Sequence, residues 1–203
     1  GYFYQSRYYE RKGPYSQSID LLHKALRIFE ELIDRAQIAR CHYKLGFNYF
    51  KNAQYDLSLE NYLISLKLDE ELDYKPGIGL TLERIGKLYL TTGDFYKARS
   101  NFERALGIFR ELNDEYRILM NELCIGVTYQ KEAMKYERDE IFYQAIGIYE
   151  ETLTKSLEIN SDLTPNLLNT IGSSYRFLKE YEKSLEYLHR SLVAALYHQG
   201  ERL

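Results

Sequence analysis

Small and apolar residues recur along the chain at spacings of three, four and seven, which place them on one face of an α-helix. The stretch IGKLYLTTGDFYKARSNFERALGIF, residues 85–109, shows this pattern twice. Gly86 and Tyr89 lie three apart in its first half, and Ala98 and Phe102 lie four apart in its second half. A short turn of the sequence Thr-Gly-Asp separates the halves, as is typical of a break between helices. The pattern predicts a pair of antiparallel amphipathic helices.

The motif recurs with a period of about 40 residues. Its first small position holds Ser6, Gly46, Gly86, Gly126 and Gly172, and a tyrosine follows three residues later in each copy. A second small residue and, four positions on, a large apolar residue follow as Ser18 and Leu22, Ser58 and Tyr62, Ala98 and Phe102, Ala145 and Tyr149, Ser184 and Leu188. Small residues allow helices to cross closely, and large side chains fill the space beside the crossing. Five copies predict five helix pairs, at residues 1–35, 36–75, 76–115, 116–161 and 162–203.

These repeats resemble the tetratricopeptide repeat (TPR) family. The resemblance rests on Leu/Ile-Gly, Tyr, Ala, Phe and Ala at fixed offsets, as in LGFNYF, IGKLYL with KARSNFERAL, IGVTYQ, and IGSSYR with KSLEYLHRSL. The period exceeds the common one of about 34 residues and is similar to that of kinesin light chains, LGN-like adaptors and bacterial sensor and pheromone-receptor proteins. The resemblance implies an all-α fold, a right-handed superhelix of antiparallel helix pairs forming one domain over residues 1–203. Because terminal repeats usually need a polar cap, we expect the chain to be a fragment of a longer protein.

The fourth copy is irregular. Tyr129 and Ala145 are 16 residues apart, whereas Tyr89 and Ala98 are nine apart. The seven extra residues fall in KEAMKYERDE and amount to about two helical turns, which nearly preserve the helix phase. We expect the first helix of this pair to run on by about two turns. The segment from Lys131 to Glu137 is then either a tolerated surface extension or a contact arm for a partner.

Composition and charge narrow the function classes. The chain has 203 residues, of which 45% are hydrophobic and 28% charged, as in soluble globular proteins. A net charge of −3 argues against a nucleic-acid partner. No apolar run is long enough to span a membrane, so we expect no membrane partner. Two cysteines and no visible signal peptide favour a cytoplasmic location.

The sequence carries no recognisable catalytic or metal-binding motif. Its four histidines form no ligand pair, and phosphate-binding loops, GxSxG and CxxC are absent. Neighbouring carboxylates such as Asp69 to Glu71 and Glu150 to Glu151 fall on second helices near Lys or Arg and are interpreted as solvated faces. We therefore expect a protein that is not an enzyme and that has no cofactor.

The family resemblance also implies a binding groove. In TPR proteins, peptide contacts come mainly from first-helix residues that point away from the paired helix. Carried over to this chain, those positions are Phe3, Arg7, Glu10, Arg40, Tyr43, Phe47, Phe50, Leu80, Glu83, Lys87, Leu90, Met120, Leu123, Val127, Gln130, Asn166, Asn169, Ser173 and Arg176. Their chemistry predicts apolar anchors at the centre, with an acidic or C-terminal carboxylate contact at a basic rim. A protein- or peptide-binding scaffold is the leading interpretation. The alternatives are a ligand-gated regulatory sensor, as in peptide-pheromone receptors, or a superhelix that closes over these residues as ordinary core.

Overall fold

The computed structural model describes residues 1–12, 14–159 and 161–200, and all regular structure in these ranges is helical. Consecutive helices pack as antiparallel pairs, which confirms the predicted all-α repeat fold. The helices are α1 (Tyr2–Lys12), α2 (Tyr15–Glu31), α3 (Arg35–Lys51), α4 (Tyr55–Glu71), α5 (Lys75–Thr92), α6 (Phe95–Glu111), α7 (Glu115–Tyr136), α8 (Asp139–Glu158), α9 (Thr164–Phe177) and α10 (Tyr181–Gly200). They form two compact units, residues 1–112 and 113–203. A single domain over residues 1–203 stays a prediction.

The glycines of the motif mark close helix crossings. A Cβ atom at Gly46 would lie 2.6 Å from the Tyr62 ring, and one at Gly86 would lie 2.8 Å from the Phe102 ring. Any side chain at these positions would therefore force the ring to shift. The same relationship recurs in the second unit, where Gly126 faces Tyr149 and Gly172 faces Leu188. The predicted pairing of a small residue on each first helix with a large one on the second is confirmed.

Most of the described connections between helices turn at one residue of positive φ. These residues are Ile33, Ala53, Asp73, Gly93, Asn113, Glu137 and Lys179. In several connections the next residue is an aspartate that caps the following helix; Asp34, for example, accepts a hydrogen bond from the Gln37 N–H at 3.1 Å. Gly13, between α1 and α2, and Asn160, between α8 and α9, lie outside the described residues.

The insertion in the fourth pair lengthens both of its helices. α7 ends ten residues after Gly126, whereas α5 ends six residues after Gly86. α8 begins three residues before Phe142, whereas α6 begins at the equivalent residue, Phe95. The expectation of a two-turn extension confined to the first helix is therefore wrong. The seven residues divide as four and three because Glu137 adopts positive φ and ends α7 early.

Candidate functional site

α3 and α5 hold most of the predicted groove residues of the first unit, and the others are on α1. Arg40, Tyr43, Phe47 and Phe50 follow spacings of three and four along α3, so they share one face. Two cavities lie between this face and α5, one after the other along the helices.

The first cavity, termed the aromatic pocket, has a volume of about 280 Å³. Its walls are Phe47, Phe50, Lys51, Tyr62, Arg84, Lys87, Leu90 and Thr91. The apolar surface comes from two phenylalanines, a tyrosine and a leucine, whereas the charged groups lining it are cations. The Lys51 ammonium lies 5.6 Å from the centroid of the Phe47 ring, so this cation is held at the pocket wall.

The second cavity, termed the Asp69 pocket, has a volume of about 240 Å³. Its walls are Arg40, Tyr43, Lys44, Ser65, Asp69, Tyr74, Gly77, Leu80 and Thr81. Asp69 is only 6% exposed, and burial raises the pKa of its carboxyl to about 6. The interpretation of Asp69 as part of a solvated face is therefore wrong. Asp69 lies on the side of α4 that faces the first turn of α5.

Arg84 separates the two pockets. Its Nε donates a hydrogen bond of 3.0 Å to the Tyr43 hydroxyl, and its guanidinium lies 5.4 Å from the centroid of the Phe47 ring. These contacts hold Arg84 across the space between α3 and α5. The groove positions implied by the family resemblance do not include Arg84, because they lie at only four fixed offsets from the small residue of each first helix.

Two predicted groove residues lie deeper than expected. Glu83 is 2% exposed, and its carboxylate accepts a hydrogen bond of 2.6 Å from the Lys87 ammonium. Burial of a carboxylate requires such a partner, so Glu83 neutralises Lys87 and does not line either pocket. Phe3 is 6% exposed and packs edge-on against Phe29, so it belongs to the core between α1 and α2.

The basic residues near α1 lie at the surface. Arg7 and Arg40 are both exposed. The Arg40 guanidinium lies 5.1 Å from the centroid of the Phe3 ring and donates a hydrogen bond to the Gln37 side chain. Arg40 also lines the Asp69 pocket, which makes it the rim cation nearest to that pocket among the predicted residues.

The predicted residues of the second unit fall into two groups. Met120, Leu123 and Val127 are half-buried and pack against that unit's core, as the ordinary-core alternative expects. The polar residues of α9, by contrast, are exposed: Asn166, Asn169 and Arg176. That these residues and those of the first unit line one groove stays a prediction.

The remaining candidate chemistry is structural. His42 is hydrogen-bonded to Asn61 at 2.9 Å, and His23 to Tyr49 at 3.1 Å. Burial raises the pKa of the Cys41 thiol to about 12, which suppresses its reactivity. Across the described ranges, no group of three or more His, Cys, Asp or Glu side chains is placed to hold a metal ion. No helix in the same ranges has the length and apolarity to cross a membrane.

Part of the sequence matches a known repeat and a known protein. Residues 38–111 match the sequence model of the tetratricopeptide repeat. An uncharacterised protein of Guillardia theta, ycf37, is 34% identical over 88 residues, or 43% of this chain. That alignment covers 46% of the Guillardia protein, so this chain matches less than half the length of that relative.

Solved structures extend the similarity beyond the matched repeats. The apo form of RapI superposes with a TM-score of 0.82 at 18% identity, covering 98% of this chain and 70% of RapI. A Rap conjugation gene regulator of the plasmid pLS20, in complex with the Phr* peptide, gives a TM-score of 0.73 at 14% identity. It covers 98% of this chain and 53% of the regulator. The match over residues 38–111 and the helix pairs of the described residues together show that this chain resembles tetratricopeptide repeat proteins in sequence and in fold.

Proposed function

We propose that the chain is a non-catalytic scaffold that binds a protein or peptide segment between α3 and α5. The observation that carries this proposal is the aromatic pocket, which combines the apolar side chains of Phe47, Phe50 and Leu90 with cationic groups at its walls. Stacked helix repeats characteristically use such inner surfaces to bind extended partners. The complex of the pLS20 regulator with the Phr* peptide supports the same use of this fold.

The chemistry of the aromatic pocket defines the ligand. A leucine or phenylalanine side chain of the ligand fills the apolar volume, and a carboxylate lies beside Lys51 and Arg84. Lys87 contributes less attraction because Glu83 already neutralises it at 2.6 Å. An aspartate, a glutamate or a C-terminal carboxylate next to the apolar anchor meets this requirement.

Thermal melting with short peptides tests the proposal. The probes are 12-residue peptides with a central Leu or Phe, flanked by acidic or basic residues, with a free or amidated C-terminus. At a concentration 100 times its Kd, a ligand stabilises the native state by about 2.7 kcal/mol, so the acidic peptides are expected to raise Tm by several degrees. If none of these peptides changes Tm, the proposal is wrong.

Variants locate the binding site. Leu90→Glu removes an apolar wall, and Lys51→Glu reverses a rim charge, so both are expected to abolish the Tm shift caused by acidic peptides. Lys67→Glu is the matched control because Lys67 lies on α4, its side chain is 77% exposed, and it lines neither pocket. Equal loss of binding in all three variants would point to non-specific charge attraction.

A second candidate is a regulatory sensor, favoured by the similarity to a Rap gene regulator in complex with a peptide. A sensor must change conformation when its ligand binds, whereas a passive scaffold need not. Small-angle scattering with and without a stabilising peptide separates the two. A change in the radius of gyration on binding supports the sensor, and an unchanged value supports the scaffold.

A further inference from the structure

Three buried polar groups without partners converge on the Asp69 pocket. Ser65 Oγ and Thr81 Oγ1 are fully buried, and neither makes a hydrogen bond. Within the described part of the chain, the Asp69 side chain likewise has no hydrogen bond and no ion pair. All three line the same cavity of about 240 Å³.

Elsewhere in the first unit, some buried polar groups have partners, whereas Ser18 Oγ and Asn48 Oδ1 have none but line neither pocket. Ser58 precedes Ser65 by seven residues on α4, and its hydroxyl donates to the Gly46 carbonyl oxygen at 2.8 Å. Asn61, also on α4, is 8% exposed, and its side-chain amide donates to the Leu57 carbonyl oxygen at 2.8 Å. Buried polar groups normally find a partner, so three unpaired groups around one cavity indicate that an external group completes the arrangement.

We propose that the Asp69 pocket binds a cationic nitrogen of the ligand, with Asp69 as its counter-ion and the Ser65 and Thr81 hydroxyls as additional acceptors. An ammonium group has three N–H donors, and the pocket offers it three acceptors. The inference rests on the proposed function, because it assigns the cation to the same ligand that fills the aromatic pocket. A lysine side chain and a peptide amino terminus supply the same chemistry.

The cations at the mouth of the pocket leave Asp69 unpaired. Arg40 and Lys44 place their charged ends 5.1 and 5.5 Å from the centroid of the Phe3 ring. Neither forms an ion pair with Asp69 in the described residues. Tyr43 and Tyr74 also line the cavity, and aromatic faces favour a bound cation. With a pKa of about 6, Asp69 is mostly ionised at pH 7.5 and able to act as a counter-ion.

Gly77 keeps the Asp69 carboxylate accessible to the cavity. A Cβ atom at residue 77 would lie 2.5 Å from Asp69 Oδ2 and 2.6 Å from the Tyr74 ring. Even an alanine would therefore press directly on the carboxylate and on the tyrosine. The absence of a side chain at this point of α5 keeps the space that a ligand ammonium needs.

The spacing of the pockets constrains the ligand further. Tyr43 lines the Asp69 pocket and Phe50 lines the aromatic pocket, seven residues later on α3, which corresponds to about 10 Å along the helix. An extended peptide covers that distance in about three residues. The ligand is therefore expected to place a cationic group about three residues from its leucine or phenylalanine anchor.

Selection from a library tests the inference. The probe is a phage-displayed library of random 12-residue peptides with free amino termini, selected separately on the wild-type chain, Asp69→Asn and Asp20→Asn. Asp20 is an exposed aspartate of α2 and provides the matched control. Wild type and the control are expected to enrich an apolar residue with Lys or a terminal amine about three positions away. Asp69→Asn is expected to retain the apolar residue and to lose the cation.

Synthetic peptides identify the source of the cation. Replacing lysine by norleucine, or acetylating the amino terminus, is expected to weaken binding at least tenfold for whichever group occupies the pocket. Thr81→Val, which keeps the side-chain volume, is expected to weaken the same peptides about threefold without loss of fold. Binders that lack any cation preference, or that bind Asp69→Asn equally well, would overturn this inference alone. Failure to select any binder would overturn the proposed function as well.

Discussion

The Ser58 hydroxyl donates a hydrogen bond of 2.8 Å to the carbonyl oxygen of Gly46, joining α4 to α3 where the two helices cross. Both residues are fully buried or nearly so, and Gly46 also contacts the Tyr62 ring. At this crossing, therefore, the two backbones lie close together, the Tyr62 ring fills the space beside them, and the Ser58 hydroxyl has a hydrogen-bond partner. Seven residues further along α4, Ser65 is equally buried but has no hydrogen-bond partner.

These two serines allow a paired test of hydrogen-bond satisfaction. Ser58→Ala loses a buried hydrogen bond and is expected to lower the free energy of unfolding by about 1 kcal/mol. Ser65→Ala loses no bond and is expected to leave the stability unchanged or to raise it by up to about 1 kcal/mol. Urea denaturation of both variants measures the difference. Equal losses would show that the Ser65 hydroxyl has a partner in solution.

Replacing a glycine at a helix crossing by alanine is expected to lower the stability of the chain, whereas the same change at an exposed helical glycine is expected to raise it. Gly86→Ala forces its new methyl group into the Phe102 ring and is expected to cost about 3 kcal/mol. Gly107, in the middle of α6, is exposed and has no atom near its missing side chain. Gly107→Ala is therefore expected to stabilise the chain by about 1 kcal/mol through helix propensity. A destabilising Gly107→Ala would mean that this face of α6 is covered.

The turn residues provide a further prediction. Ile33 is a β-branched residue with a φ of 54°, a conformation that glycine adopts without strain. Ile33 is also 78% exposed, so Ile33→Gly is expected to raise the free energy of unfolding by about 1 kcal/mol. Gly93 occupies the matching position with a φ of 83°. Gly93→Ala is expected to lower the free energy of unfolding by a similar amount. Thermal melts of the two variants should move in opposite directions.

The repeat design could be predicted from sequence because each helix pair depends on local spacing. The pairing of Gly46 with Tyr62 and of Gly86 with Phe102 follows from offsets that recur about every 40 residues, and the structure confirms it. Such features repeat in every copy, so each copy supports the assignment of the others. The family resemblance, by contrast, is what implied that Tyr43 faces a groove, and this stays a prediction.

The features that could not be predicted from the sequence depend on single residues that have no counterpart in the other repeats. Asp69 occupies the place held by Phe109 in the next pair, and its neighbours Glu70 and Glu71 gave it the appearance of a solvated face. Its burial follows from the packing of α5, which local spacing does not encode. The split of the insertion at Glu137 depends likewise on one backbone conformation. A partner contact through Lys131 to Glu137 stays a prediction.

The stability of the chain should depend on pH through Asp69. Burial raises the pKa of this carboxyl from 3.8 to about 6, so between these values the native chain binds the proton more tightly than the unfolded chain does. The free energy of unfolding therefore falls as pH rises from about 4 to 6, and the loss persists at higher pH. A shift of two units corresponds to about 3 kcal/mol. Water entering the cavity screens the charge, so we expect an effect of about 1 to 2 kcal/mol.

Asp69→Asn removes this titration and isolates its effect. The variant is expected to be more stable than wild type by about 1 to 2 kcal/mol at pH 7.5 and nearly equal to it at pH 4. Asp20→Asn, at an exposed position, should differ little from wild type at either pH. Urea denaturation of the three proteins across this range measures the difference. If Asp69→Asn were less stable than wild type at pH 7.5, the ionised carboxylate would have a stabilising partner within the folded chain, and the Asp69 pocket would not need an external cation.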